Sequence, residues 1–143
     1  MREILFRGKQ RYNGKWIISG NVFFDEELKH VYFRNPNNDP AEKAYVCREV
    51  IPESVGQYTG LTDKNGKKIF EGDIVKHFNN SDEEYDIGVI YFDTEFMGWR
   101  RTTQGRFHKI IIDTYKLNPT CIYEVIGNIH DNPELLKEGA DNG

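Results

Sequence analysis

Histidines, carboxylates and one basic, aromatic run are the side chains in this sequence with chemistry to offer. The four histidines are His30, His77, His108 and His130. None stands in an HExxH or HxH spacing, which would bring two imidazoles to one metal, and none accompanies a cysteine pair. Glu26 and His30 are four residues apart and would face one ion on a helix, but a solvated acidic turn is the plainer reading. His130-Asp131 matches the His-Asp dipeptide of metal phosphohydrolases. That fold is all-helical and needs further His and Asp ligands that a β-rich chain lacks, so the pair reads as entry to a helix-capping turn. Glu83, Glu84 and Asp86 fall in one acidic stretch, which reads as a charged, solvated loop. GxSxG, P-loop and GxGxxG patterns are absent. No catalytic residue, metal ligand or cofactor site is assigned, and the expectation is a protein that is not an enzyme.

The basic run offers binding rather than turnover. Arg100, Arg101, Arg106, His108 and Lys109 occur with no acid between Glu95 and Asp113, and Trp99 and Phe107 lie among them. Arg and Lys hold phosphates while an aromatic ring stacks on a base. A hairpin turn at Thr102–Gly105 would bring these residues together on two adjacent strands. Lys64, Lys67 and Lys68 form a smaller cluster. The plainer alternative is an exposed hairpin whose charges deter edge-to-edge pairing; an acidic protein partner is a third. Assembly is a further option. Phe23, Phe24, Tyr32, Phe33, Phe92, Phe96, Met97 and Trp99 exceed what one small barrel can hide, and such residues favour interfaces. A core shared by two sub-domains would also absorb them.

The bulk numbers narrow the partners. A net charge of -4 argues against general attraction to nucleic acid, leaving only a local patch. Cys47 and Cys121 sit among apolar neighbours and are expected to be buried free thiols, since cysteine packs as a small hydrophobe. The segment Met1–Arg7 has no apolar core and no cleavage site, so no signal peptide is expected. No apolar run approaches the roughly 20 residues that cross a bilayer. A cytoplasmic protein without membrane contact is the expectation.

Elements that could position such residues are short. A length of 143 residues favours one domain, or two small parts sharing a core. An aromatic content of 13% favours strand over helix. Strand-like runs recur at Glu3–Arg7, Lys15–Phe24 with Gly20 as a bulge, Tyr45–Ile51, Gln57–Leu61, Ile74–Phe78, Ile87–Phe92, Phe96–Arg100, Phe107–Tyr115 and Tyr123–Gly127. Asn13-Gly14 signals a type I′ hairpin. Asn35–Pro40 and Asn79–Glu84 read as loops. One helix is expected, with Asn132 as cap, Pro133 at the first position, Glu134 near the positive dipole end and Gly139 as stop.

The block Val55–Lys76 is the most distinctive. Gly56, Gly60, Gly66 and Gly72 mark reversals, and Gly72-Asp73-Ile74-Val75-Lys76 followed by Gly88-Val89-Ile90 is a pattern common in small SH3-like barrels. The block resembles the phage- and prophage-borne YopX family. The resemblance continues at Gly88–Phe92 with Trp99, at Tyr123–Leu136, and at Ile4–Arg7 with Gly14–Ile17; it is weakest over Asp25–Glu53. It implies a β-barrel-like fold and a phage or prophage setting, and carries no activity or catalytic residue across.

The expectation is therefore all-β: an N-terminal β part over 1–54 and a barrel-like part over 55–143 that ends in one short C-terminal helix. The leading functional expectation is a non-enzymatic accessory protein that assembles with itself or binds a phage or host protein. The alternative is a nucleic-acid binder using Trp99, Arg100, Arg101, Arg106, Phe107 and Lys109.

Overall fold

A computed structural model of the chain describes residues 3–25, 27, 29–34, 46–78, 85–95, 97–104, 111–116 and 122–136. The chain forms two units, Met1–Gly60 and Leu61–Gly143. The division falls inside a strand, a few residues past the expected one.

The first unit opens with a hairpin of β1 (Phe6–Lys9) and β2 (Trp16–Ser19), in register from Phe6↔Ser19 to Lys9↔Trp16. Its turn is not the expected type I′. Gly14 has a φ of 70°, but Asn13 does not share the positive value. The turn is longer instead: the Gln10 N–H donates to Lys15 O at 2.9 Å, and the Gly14 N–H to Gln10 O at 2.9 Å. Asn13 Oδ1 accepts the Lys15 N–H at 3.0 Å. The run expected as one bulged strand over 15–24 is two strands. The chain leaves the first sheet at Gly20 and enters a second with β3 (Asn21–Phe24). Ser19 fixes the crossing, because its Oγ accepts the Asn21 N–H and donates to Arg34 O. β3 pairs with β4 (Val31–Arg34), and β4 with β5 (Cys47–Val50), all antiparallel.

The strand alternation in β4 sets the core. Val31 and Phe33 point inward and Tyr32 and Arg34 outward, as a period of two requires. Ile17, Val31, Phe33 and Val50 are buried together, with Phe6, Val22 and Val55 packed against them. Cys47 departs from expectation in being exposed rather than buried, and it forms no disulfide. It lies opposite outward-facing Arg34, so its side chain shares the outer face. Cys121 lies outside the described residues.

β6 (Gly56–Thr62) pairs with β1 through Gly56 and Gln57 and carries the chain across the division. The second unit continues with β7 (Lys68–Phe70), β8 (Asp73–Phe78), β9 (Tyr85–Asp93), β10 (Gly98–Gln104), β11 (Ile111–Lys116) and β12 (Ile122–Asn128). The last five make an antiparallel sheet in the order β11-β10-β9-β8-β12. β11 and β12 are its two edges, and no pairing closes them into the expected barrel among the described residues. Ile69, Val75, Ile90 and Tyr123 form the core of this unit, joined by Leu61, Trp99 and Val125.

The expected C-terminal helix is, over the described residues, one 3₁₀ turn at Pro133–Leu136. Asn132 does not cap forward. Its Oδ1 reaches back to the Asn128 N–H at 3.3 Å, and the Asn132 N–H donates to Asn128 O at 2.8 Å. The side chain is committed to the preceding turn, so an i→i+3 bond from the Leu135 N–H to Asn132 O follows it. No described helix is long and apolar enough to cross a membrane.

Candidate functional site

Of the basic run, the described residues hold the part on β10. Thr102–Gln104 continue β10 rather than turning, since Thr102 pairs with Thr114 and Gln104 with Ile111. Arg100 and Arg101 therefore pair with Lys116 and Tyr115 of β11. Arg106, Phe107, His108 and Lys109 lie outside the described residues. Trp99, Arg100 and Arg101 are adjacent on β10 but alternate in side. Trp99 packs on the core and meets Phe92 edge-on at 5.1 Å. Arg100 Nε lies 3.1 Å from Asp93 Oδ2. Arg101 is only 5% exposed.

Arg101 is buried against a histidine. Its Nη2 is 2.9 Å from His77 Nδ1. A guanidinium only donates, so His77 Nδ1 accepts and the ring is neutral in this contact. The His77 ring also lies 5.4 Å from that of Tyr123. Burial lowers the His77 pKa below 6.5, the Arg101 charge lowers it further, and Asp86 opposes them. The unfolded chain thus binds more protons than the folded one in the window below about pH 6.5, so stability falls on acidification through it and rises with pH. Urea denaturation at roughly pH 5 and pH 7 should show this slope in the wild type and a flatter one in His77→Gln. An NMR titration placing His77 at or above 6.5 would contradict the assignment.

The remaining candidates disperse. Lys64 Nζ pairs with Glu124 Oε2 at 3.0 Å and lies 4.5 Å over the Phe78 ring. Glu26, Glu83 and Glu84 lie outside the described residues. His130 is exposed in the 128–131 turn, where its N–H donates to Asn128 Oδ1. Of the aromatic set, Phe33 is fully buried, Trp99 is half-buried and Phe96 is not among the described residues. Met97 is 74% exposed, and its φ of 57° places it in the left-handed region.

The first unit presents an outer sheet face that the spacing of residues did not single out. Phe23, Tyr32 and Glu49 lie directly across from one another on β3, β4 and β5, and Asn21, Arg34 and Cys47 form the next row. On this face Phe23 is 46% exposed and Tyr32 is exposed beside it; Phe24, across from Val31 and so on the opposite face of β3, is 56% exposed. The Arg34 guanidinium lies 6.0 Å from the Phe23 ring centroid. Glu49 Oε2 accepts from His30 Nδ1 at 2.9 Å and from Arg11 Nε at 3.1 Å. The hydrogen bond from His30 holds the Glu49 carboxyl below its usual pKa; burial opposes this, and the bond and charge of Arg11 reinforce it. His30 also stacks on Tyr32, with ring centroids 6.4 Å apart. Beside this network, the 10–13 turn and β5 form a cleft of about 640 Å³ lined by Gln10, Arg11, Tyr12, Asn13, Cys47, Arg48 and Glu49. The sequence did hold one signal for it: Arg11-Tyr12-Asn13 puts a cation, an aromatic and an amide on a turn.

These features define a two-unit antiparallel β protein with an exposed aromatic strand and a cationic cleft. The chain belongs to the YopX family, whose model, described as YopX protein, matches residues 5–137. No curated protein matches the chain. Among solved structures, protein EF1440 from Enterococcus faecalis is similar over 96% of this chain and 100% of its own, with a TM-score of 0.50 and 22% identity. That likeness concerns the fold alone.

Proposed function

We propose that the chain is a non-enzymatic accessory protein that acts by strand docking, with β3 as its contact strand. The exposure of Phe23 and Phe24 on β3 carries this reading. β3 is the outer strand of its sheet among the described residues. An outer strand offers backbone donors and acceptors to another strand, and aromatic side chains add buried area when one arrives. The occupant is a second copy of the chain: two β3 strands pair antiparallel about a twofold axis, where the same residues meet themselves. A phage or host protein is the other occupant, and the setting implied by the resemblance supports a cytoplasmic role of that kind.

The test is light scattering of the full chain at micromolar concentration. The wild type should exceed the monomer mass, and the double variant Phe23→Lys, Phe24→Lys should be monomeric with an unchanged circular dichroism spectrum. A monomeric wild type that captures a phage or host protein through Phe23 and Phe24 would move the docking to that partner. A monomer that captures nothing would overturn the proposal. The nucleic-acid reading is the alternative; of its β10 residues, Arg101 is buried against His77 and Arg100 lies beside Asp93.

A further inference from the structure

Charge is unevenly divided along this chain. Residues 1–60 hold nine Lys and Arg against eight Asp and Glu, whereas residues 61–143 hold ten against fifteen. An anionic ligand is therefore better served by the first unit, despite the overall charge of -4. The cleft beside β5 lies there. Its volume of about 640 Å³ falls within the range of small-molecule sites, roughly 300–1,000 Å³.

The side chains around it have complementary roles. Tyr12 is 97% exposed, so its ring is presented to solvent. It stands on a turn fixed by the bonds Gln10 to Lys15, Gly14 to Gln10 and Lys15 to Asn13. A ring carried on a hydrogen-bonded turn offers an open face on which a base can stack. Arg11 gives its Nε to Glu49, which fixes the guanidinium at the cleft. Its terminal Nη groups have no partner among the described residues and suit a phosphate, which a guanidinium grips with two parallel bonds. Arg48, exposed and also lining the cleft, adds a second cation. Among the described residues Glu49 is the one carboxylate lining the cleft, and it would repel an anion if it stood alone. Hydrogen bonds from both Arg11 and His30 offset its charge.

We propose that this cleft binds a nucleoside phosphate unit, with the base stacked on Tyr12 and the phosphate held by Arg11 and Arg48. The unit has two sources, a free nucleotide or one residue of a single strand. The inference is independent of strand docking at β3.

Fluorescence anisotropy of a labelled oligothymidylate against the full chain tests it, with adenosine monophosphate as competitor. Binding should weaken as salt rises. Tyr12→Ala should weaken it by about tenfold, the order expected for loss of one base–aromatic stack, with an unchanged melting temperature. Arg48→Ala should weaken it and reduce its salt dependence. Arg100→Ala on β10 should leave it unchanged. Displacement by adenosine monophosphate assigns the free nucleotide as a ligand, and its failure to displace assigns the strand; either supports the site. Nucleotide should also slow labelling of the Cys47 thiol, which lines the cleft. No binding of either ligand at low salt would overturn the proposal, as would binding that survives Tyr12→Ala and Arg48→Ala together. Binding lost in Arg100→Ala but kept in Tyr12→Ala would overturn it too.

Discussion

Asp63→Ala is expected to lower the unfolding free energy by about 3 kcal/mol, read by urea denaturation at neutral pH. The residue is 7% exposed and holds three backbone groups. Its Oδ1 accepts the N–H of Asn65 at 2.8 Å and of Lys67 at 2.9 Å; its Oδ2 accepts that of Val125 at 3.0 Å. The first two shape the turn between β6 and β7, and the third ties that turn to β12. Asn65 and Lys67 are exposed, so water replaces the carboxylate there at modest cost. Val125 packs on the core, and its N–H would be left without an acceptor. A charged acceptor lost to a core N–H costs roughly 1.5–3 kcal/mol, and the weakened turn adds to it. A loss under about 1 kcal/mol would show that water reaches Val125.

The same contacts fix the sign of an acid effect. Burial alone would raise the Asp63 pKa, but the N–H groups of Val125, Lys67 and Asn65, with the Lys67 charge, more than reverse it, so the carboxyl sits below 3.8. A depressed folded pKa gives stability that is present above the unfolded value and lost as pH falls through the folded one. Asp63→Asn, which keeps the shape and removes the charge, should flatten the stability profile below about pH 4.

Much of the second unit was legible because its signals are local. Asp63 and Gly66 fix a turn within four residues, and Gly66 has the φ of 81° that such a turn demands of its last position. The alternation Trp99, Arg100, Arg101 was equally readable. A period of two puts Arg101 on the face of Trp99, which is the core face, and Arg100 on the other. Reading the two arginines as one patch overlooked that period. What failed depended on distant partners. Gly20 looks like a bulge in a continuous strand until Ser19 is bonded to Arg34, fifteen residues on. Thr102 looks like a turn residue until its Oγ1 accepts the Val89 N–H at 2.9 Å. Cys47 has apolar neighbours in sequence, yet pairing with β4 places it opposite outward-facing Arg34. The cleft joins residues 10–13 to 48–49, a separation that no local pattern encodes.

Gly88→Ala should cost about 3 kcal/mol or more, and for a reason unlike that of most glycine substitutions. Its backbone needs no positive φ, so the residue is there for space. A Cβ at Gly88 would lie 1.9 Å from Thr102 O and 3.0 Å from Thr102 C, both backbone atoms of β10 that no rotamer change can move. Accommodation requires β9 and β10 to separate. That separation would break the bond from the Val89 N–H to Thr102 Oγ1 and shift Arg101, whose guanidinium is buried on His77. Gly66 supplies the contrast. A Cβ there meets nothing within 4 Å, and only its φ of 81° is at stake, which for alanine costs about 1 kcal/mol. The two variants, compared by urea denaturation, separate a steric from a conformational cause. Gly88→Ala must be the more damaging of the pair; the reverse order would mean that β9 and β10 move apart readily, and that Arg101 is not locked in place by their pairing.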